Sequence, residues 1–372
     1  MADTRQHESA VERIRQRVEE KAARRAATAK AAAAGEHADE LPSELPDSGR
    51  LPGVTAEKPT AIPWSGWKQI LQRAWAENQA DNMPIISGGV AFFGFLSIFP
   101  GLIALLSIYG LVASPASVSK QVDTLAKNLP KSAAQLIGDE LRSITSHSGG
   151  ALTLGLIVSI LTALWSASGG MGNLITAVNL AYDEVETRNF VKLKLMSLAL
   201  TIGGIVFVLI TFGLVAVVPA VISALPLGIV GTILAQIVNW VVLLGVFAGA
   251  LSVLYRVAPD RDAPRFRWVS LGSVIVTVMW AVVSLVFAFY VNNFGSYDKT
   301  YGTIAGVIVL MFWLYLTCYL VLLGAEINSE TEHQTARDTT VGHPAPMGRR
   351  GAEKADSIPD PAHPTQASKP RT

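Results

Sequence analysis

Charge is what this 372-residue chain has little of: Asp, Glu, Lys and Arg make up 16% of it, while 50% is hydrophobic. An ordinary soluble domain is roughly a quarter charged. Six stretches, 85–111, 151–181, 195–222, 227–255, 269–293 and 301–326, hold 166 residues and one charged residue between them, Glu326. A bilayer-spanning helix needs about 20 apolar residues and every run exceeds that, which excludes a soluble protein with one water-facing fold. Cysteine is nearly absent as well. Cys318 stands alone inside the last run, so no intrachain disulfide can form and redox compartment is not readable from cysteine. Histidine avoids the apolar body: His7, His37, His333, His343 and His363 lie in the tails, leaving His147. A histidine-rich hydrolytic metal centre cannot be built from that inventory. HExxH, paired CxxC, GxxxxGK[ST] and GxSxG are all missing, so the expectation is no catalytic residue, no metal and no cofactor.

What is present reads as an all-α polytopic membrane protein: six transmembrane helices, an external helical hairpin and disordered cytoplasmic tails. Taking the gaps between runs in order, alternate gaps carry 25 basic residues on one side and 5 on the other. The positive-inside tendency then puts both termini in the cytoplasm. Residues 1–61 form the N-terminal tail, in which 11–35 is a thin amphipathic stretch and Pro42, Pro46, Pro52 and Pro59 mark a stiff linker. No cleavable signal peptide opens the sequence. The membrane domain covers 62–332. The tail 333–372 is rich in proline and has no apolar periodicity, which predicts disorder.

The segment 62–80 predicts an interfacial helix, with Trp64, Trp67 and Trp75 as anchors at the headgroup level. Trp67, Ile70, Leu71, Ala74 and Trp75 would share its apolar face, with Lys68, Arg73 and Glu77 on the wet one. Packing on the cytoplasmic loops is the alternative. The outer gap 112–150 patterns as two short amphipathic helices divided by Pro130, a cap over the outer face.

Polar and helix-breaking residues inside the runs are the candidates for function. Pro100, flanked by Gly94 and Gly101, removes a backbone donor near mid-membrane and frees the carbonyl of Leu96. That suits either a packing kink or a gate. Asn173 and Asn179 in the second run, and Gln236 with Asn239 three residues apart in the fourth, read as interhelical glue or as the lining of a polar path. Glu326 and Asn328 stand at the inner end of the sixth run. Glu326 can bind a cation, take a proton, or pair with an arginine such as Arg188 or Arg256. The cytoplasmic carboxylates Asp81, Asp183, Glu184, Glu186, Asp260, Asp262 and Glu330 read mostly as solvated loop charges. Gly245-x-x-x-Gly249 and Gly302-x-x-x-Gly306 offer small-residue faces for helix packing or for an oligomer.

Several of these segments resemble the YihY/BrkB family of bacterial inner-membrane proteins: AFFGFLSIFP, LWSASGGMGNLITAVNLAY, LYRVAPDR, the series Tyr290, Tyr297 and Tyr301-Gly302, and GVIVLMFWLYLTCYLVLLGAEINSE. The likeness covers roughly 67–332, and the last motif is the most specific. Gly88 and Gly89 depart from it, standing where family members often have alanines. The resemblance implies a role in envelope integrity and transport of lipid-like or small polar solutes. Its partners are then membrane lipids and such a solute, and nucleic acid is not expected. Members have also been labelled ribonuclease BN, and no chemistry in this sequence supports that label.

Overall fold

The computed structural model describes residues 12, 15, 16, 18–23, 26, 49–112, 154–226, 228–294, 303–342 and 344–367. The expected external cap, His147, Tyr297, Tyr301 and Gly302 lie outside them. From residue 64 onward the described α-helices are, in order, α1 (Trp64–Ala80), α2 (Met83–Val112), α3 (Leu154–Ala181), α4 (Phe190–Phe212), α5 (Val218–Ala224), α6 (Gly228–Val257), α7 (Phe266–Phe294) and α8 (Thr303–His333). Among the described residues there is no strand beyond an isolated bridge between Pro264 and Thr340.

Among the described residues five helices are long and apolar enough to cross a membrane: α2, α4, α6, α7 and α8. The second run, 151–181, where a sixth span was expected, forms α3, 28 residues long, whose second half is diluted by Ser166, Ser168, Gly169, Gly170, Gly172 and Asn173. Large apolar side chains point outward along these helices, Leu285 at 72% and Trp240 at 60% exposure. In water such a surface would drive aggregation, whereas in hydrocarbon it is the solvated face. The chain is a polytopic all-α membrane protein.

The described residues form two compact units, one of Met1–Ala91, Leu174–Phe190 and Ile210–Thr372, the other of Phe92–Asn173 and Val191–Leu209. In the larger unit α7 packs on α8 and on α6, and α8 packs on α1. Glycine sets the closest approaches. A Cβ on Gly324 of α8 would meet the Tyr255 hydroxyl of α6 and the Val276 side chain of α7, and that hydroxyl donates to the Val321 carbonyl at 2.7 Å. Phe247 stacks on Trp280 at 4.4 Å, and the Trp280 indole donates to Thr317. In the smaller unit Gly170 meets Ser97, whose hydroxyl accepts the Gly170 amide at 3.0 Å and donates to the Phe93 carbonyl. The helix α2 runs through Pro100 without interruption. Gly101 approaches Ala167, while a Cβ on Gly94 would meet nothing.

Between α4 and α5 the backbone widens into a π-helix, Gly213–Val217, in which the Val218 amide reaches back five residues to the Gly213 carbonyl. The next amide in that ladder would serve Leu214, but residue 219 is proline and has none. The Asn239 carboxamide of α6 donates to the Leu214 carbonyl instead, at 2.9 Å.

Two expectations need correction. The predicted disorder of 333–372 does not hold for the described part of that tail. Its residues fold back, with Ala336, Ala352 and Ala355 buried and Arg350 donating to the carbonyls of Ala336, Ala345 and Ala355. The end of the 1–61 tail packs with it: Leu51 and Val54 form an apolar cluster with Ala336, Met347 and Ile358. Proline and short polar residues hid this because the core they join is small and assembled from both ends of the chain. The helix α1 is also turned relative to its expected faces. Arg73 and Glu77 are buried beside Ile70 and Ala74, while Trp64, Lys68, Leu71 and Trp75 are exposed together. At seven and four residues apart, Trp64, Leu71 and Trp75 share one exposed side, opposite the packed face, while Trp67 packs against the buried cluster of Ile62, Ile70 and Trp268.

Candidate functional site

The last helix continues past its apolar run by a further seven residues, to His333. Glu326 closes the run, and the extension carries Asn328, Ser329, Glu330, Glu332 and His333, all six buried. Around it gather α1, the segment after α3, the segment after α6, and the C-terminal segment after α8. Their charges are not solvated. Arg73 donates Nε to Glu330 at 2.6 Å and Nη2 to Gln334 at 2.7 Å. Lys354 sits between Glu77 at 3.0 Å, Asp183 at 2.9 Å and Glu330. Arg261 pairs with Glu332 at 2.5 Å, both side chains fully enclosed, and lies over the Tyr182 ring. Lys21 reaches Glu184 at 2.8 Å and also bonds the Asp260 carbonyl.

Burial and neighbouring charge oppose each other in this cluster. Burial alone would depress the Lys354 ammonium, but Glu330, Asp183 and Glu77 together hold it well above the usual lysine range. Burial likewise works against the Arg261 charge, and Glu332 overcomes it. Glu184 goes the other way, its burial raising the carboxyl despite Lys21 and Arg261.

The expected site residues fare unequally. Glu326 and Asn328 do come together with this cluster. Glu326 is 1% exposed, and its Oε1 has no hydrogen-bond partner. Neither expected arginine reaches it: Arg188 bonds Glu186 and the Ala258 carbonyl, and Arg256 lies over the Phe266 ring. Asn328 rests its carboxamide where a Cβ on Gly272 of α7 would be, and neither of its polar atoms has a hydrogen-bond partner. Tyr182 is near enough to Asn328 to interact with it, yet the pair lacks hydrogen-bond geometry. The Ser329 hydroxyl and the Asn78 Nδ2 are also buried and unpartnered.

The other amides are fixed locally. Asn179 organises the segments after α3 and α6, accepting the Asp260 amide at 2.7 Å and donating to Glu186 at 2.9 Å. Asn173 donates to the Gly169 carbonyl of its own helix. Asn239 serves Leu214, as above. Gln236 is exposed and does not join it. The carboxylates Asp183, Glu184, Asp260 and Glu330, read as solvated, are paired instead. A sequence signal did exist for one of them, since Glu326 and Glu330 are four apart on a helix that must enter the membrane. Nothing local in the proline-rich tail marked Lys354. Among the described residues no three His, Cys, Asp or Glu side chains are spaced to hold a metal ion.

The sequence model of the family described as Virulence factor BrkB matches residues 74–347. The chain is 37% identical over 253 residues to a Bacillus subtilis (strain 168) protein named ribonuclease-like protein YfkH, covering 65% of this chain and 88% of that one. A membrane protein of Alteromonas mediterranea named in the UPF0761 series is 25% identical over 67% of this chain and 82% of its own length. A Vibrio vulnificus (strain YJ016) protein of the same series is 24% identical over 68% and 80% respectively. No solved structure matches the chain. A family match across most of the chain, a relative of this identity, and a bundle of membrane-length helices agree: the chain is a membrane protein of the YihY/BrkB family.

Proposed function

We propose that the chain is an inner-membrane transporter, handling a lipid or small polar solute in support of envelope integrity, with both termini in the cytoplasm and no enzymatic activity. The observation that carries this reading is the set of buried unpartnered polar atoms on the inner end of α8: Glu326 Oε1, both ends of the Asn328 carboxamide and Ser329 Oγ. A buried polar atom left without a partner costs about 1–3 kcal/mol. A bundle built only for stability gains nothing from several of them on one stretch of helix, whereas a protein that passes or holds a polar group there does. Absence of an ATP-binding motif makes the process gradient-driven or passive.

Proteoliposomes loaded with candidate osmolytes or labelled lipids give the test. Flux above empty vesicles is expected for one solute class, with a loss of at least tenfold in Glu326→Gln and Asn328→Ala. Flux that is absent for every class, or indifferent to both substitutions, refutes the reading. Reporter fusions at each terminus check the orientation independently.

A structural scaffold that recruits partners through its tails is the second reading. The buried seat of 334–367 weighs against it, because a recruiting tail must be free to meet its partner. Deleting 342–372 abolishes the phenotype of a scaffold and leaves flux in a transporter.

A further inference from the structure

The Lys354 ammonium is bound by carboxylates from three separate elements: Glu77 of α1, Asp183 after α3 and Glu330 of α8. An ammonium offers three N–H donors and no acceptor, and here each meets a carboxylate. A fourth carboxylate stands behind. Glu326 lies one helical turn before Glu330 on the same face, buried, with Oε1 unpartnered and within electrostatic reach of Lys354, Glu330 and Glu77. Of the remaining groups in this cluster, Arg73 pairs with Glu330, the His333 ring lies 3.3 Å from the same carboxylate, and Asp81 adds a further negative charge within reach of Glu326. With the ammonium withdrawn the site is strongly anionic.

The residues that make the site and the residue that fills it have different standing in the chain. Glu77, Asp183, Glu326 and Glu330 fall inside the family match, 74–347, and Lys354 lies beyond it. The ammonium is therefore supplied by a segment outside the family match to carboxylates that lie within it. That segment also borders a small cavity of about 70 Å³, lined by Glu20, Lys21, Asp183, Glu184, Glu353 and Asp356 among others. Asp183 lines the cavity and also pairs with Lys354, so the cavity adjoins the site. The side-chain spacing suits a hydrogen-bonding ammonium and not a bare metal ion.

We propose that Glu77, Asp183 and Glu330, backed by Glu326, form a binding site for a primary ammonium group, and that Lys354 is its intramolecular occupant, displaced together with the C-terminal segment when an external amine binds. The ligand's chemistry is R–NH₃⁺, carried either by a free alkylamine or by an ethanolamine lipid headgroup. Binding is measured without flux, so failure here leaves the transport reading standing, and a failed flux assay leaves this one standing.

The test uses the full chain purified in detergent, wild type and Lys354→Ala. Methylammonium fits the vacated position and keeps its three donors, whereas tetramethylammonium carries the same charge and has none. Thermal unfolding of K354A is expected to shift upward by several degrees with methylammonium and not with tetramethylammonium or sodium at equal concentration, since a ligand that binds only the folded state raises its stability. A shift common to all three salts, or to none, overturns the site. Nanodiscs separate the sources: K354A more stable in ethanolamine-headgroup lipid than in choline-headgroup lipid assigns the ligand to the membrane. Equal stability in both, with rescue by methylammonium alone, assigns it to free amine.

Displacement is read on the wild type by hydrogen exchange of 349–356, with methylammonium above the millimolar effective concentration of a tethered group. Faster exchange with methylammonium than with tetramethylammonium is expected. Equal exchange overturns displacement. This measurement also decides the matter should K354A not fold.

Discussion

The Arg261–Glu332 pair joins the segment after α6 to the end of α8, and it gives the sharpest stability prediction. Its Nη2–Oε2 distance is 2.5 Å and both side chains are fully enclosed. At an effective dielectric constant near 20, that separation corresponds to about 7 kcal/mol of attraction. Desolvation costs several kcal/mol per ion and cancels most of it. The pair therefore contributes little net stability, but removing half of it exposes the whole desolvation cost of the other half. Arg261→Met is expected to destabilise by about 3–5 kcal/mol. Glu332 would keep only the Thr339 hydroxyl, which it accepts at 2.7 Å. The double variant R261M/E332Q removes both charges and should recover more than half of the loss. Reversible unfolding in mixed micelles, run as a double-mutant cycle, measures the coupling. A single-variant loss below about 1 kcal/mol, or additive losses in the double variant, would show that water reaches this pair and that the enclosed network is not as described.

Three further outcomes follow from the same structure. Asn239→Leu strips the Leu214 carbonyl of its donor in hydrocarbon and should cost about 1–3 kcal/mol; adding Pro219→Ala returns a backbone N–H, and a double variant no more stable than N239L contradicts the π-helix argument. Gly170→Ala drives a Cβ to within 2.5 Å of the Ser97 hydroxyl and should destabilise by about 1–3 kcal/mol, measured by the same unfolding assay; a neutral result means that this helix pair is looser than drawn. Lys354 supplies the pH dependence. Its folded-state pKa is raised from 10.5, so its stabilisation is complete below that value and is lost only as pH climbs through the raised one. The stability gap between wild type and K354A should stay constant from about pH 7 to 9.5, and a gap that narrows within that interval contradicts the three-carboxylate seat.

Which of these features could be read without coordinates depends on the range of the force behind each. Membrane spans come from the composition of a contiguous run, and hydrocarbon tests every residue of it, so Glu326 stood out against 165 uncharged neighbours. The small residue at Gly170 was legible for the same reason: helix spacing alone puts it on a face with Ser166 and Asn173. The faces of α1 were not. Trp67 and Ile70 are apolar and Arg73 and Glu77 charged, yet all four turn toward protein, because the partners of the charges lie more than 250 residues away in α8 and the C-terminal segment.

The sequence by itself determined that this chain enters a membrane more than once and which family it resembles, since hydropathy and motif are properties of neighbouring residues. Tertiary structure decided which charges are buried, that Asn239 completes a ladder broken by Pro219 and that Lys354 fills a carboxylate seat. Those outcomes rest on pairings between distant segments, and a buried charge is stable only when folding has brought its counter-charge within a few ångströms.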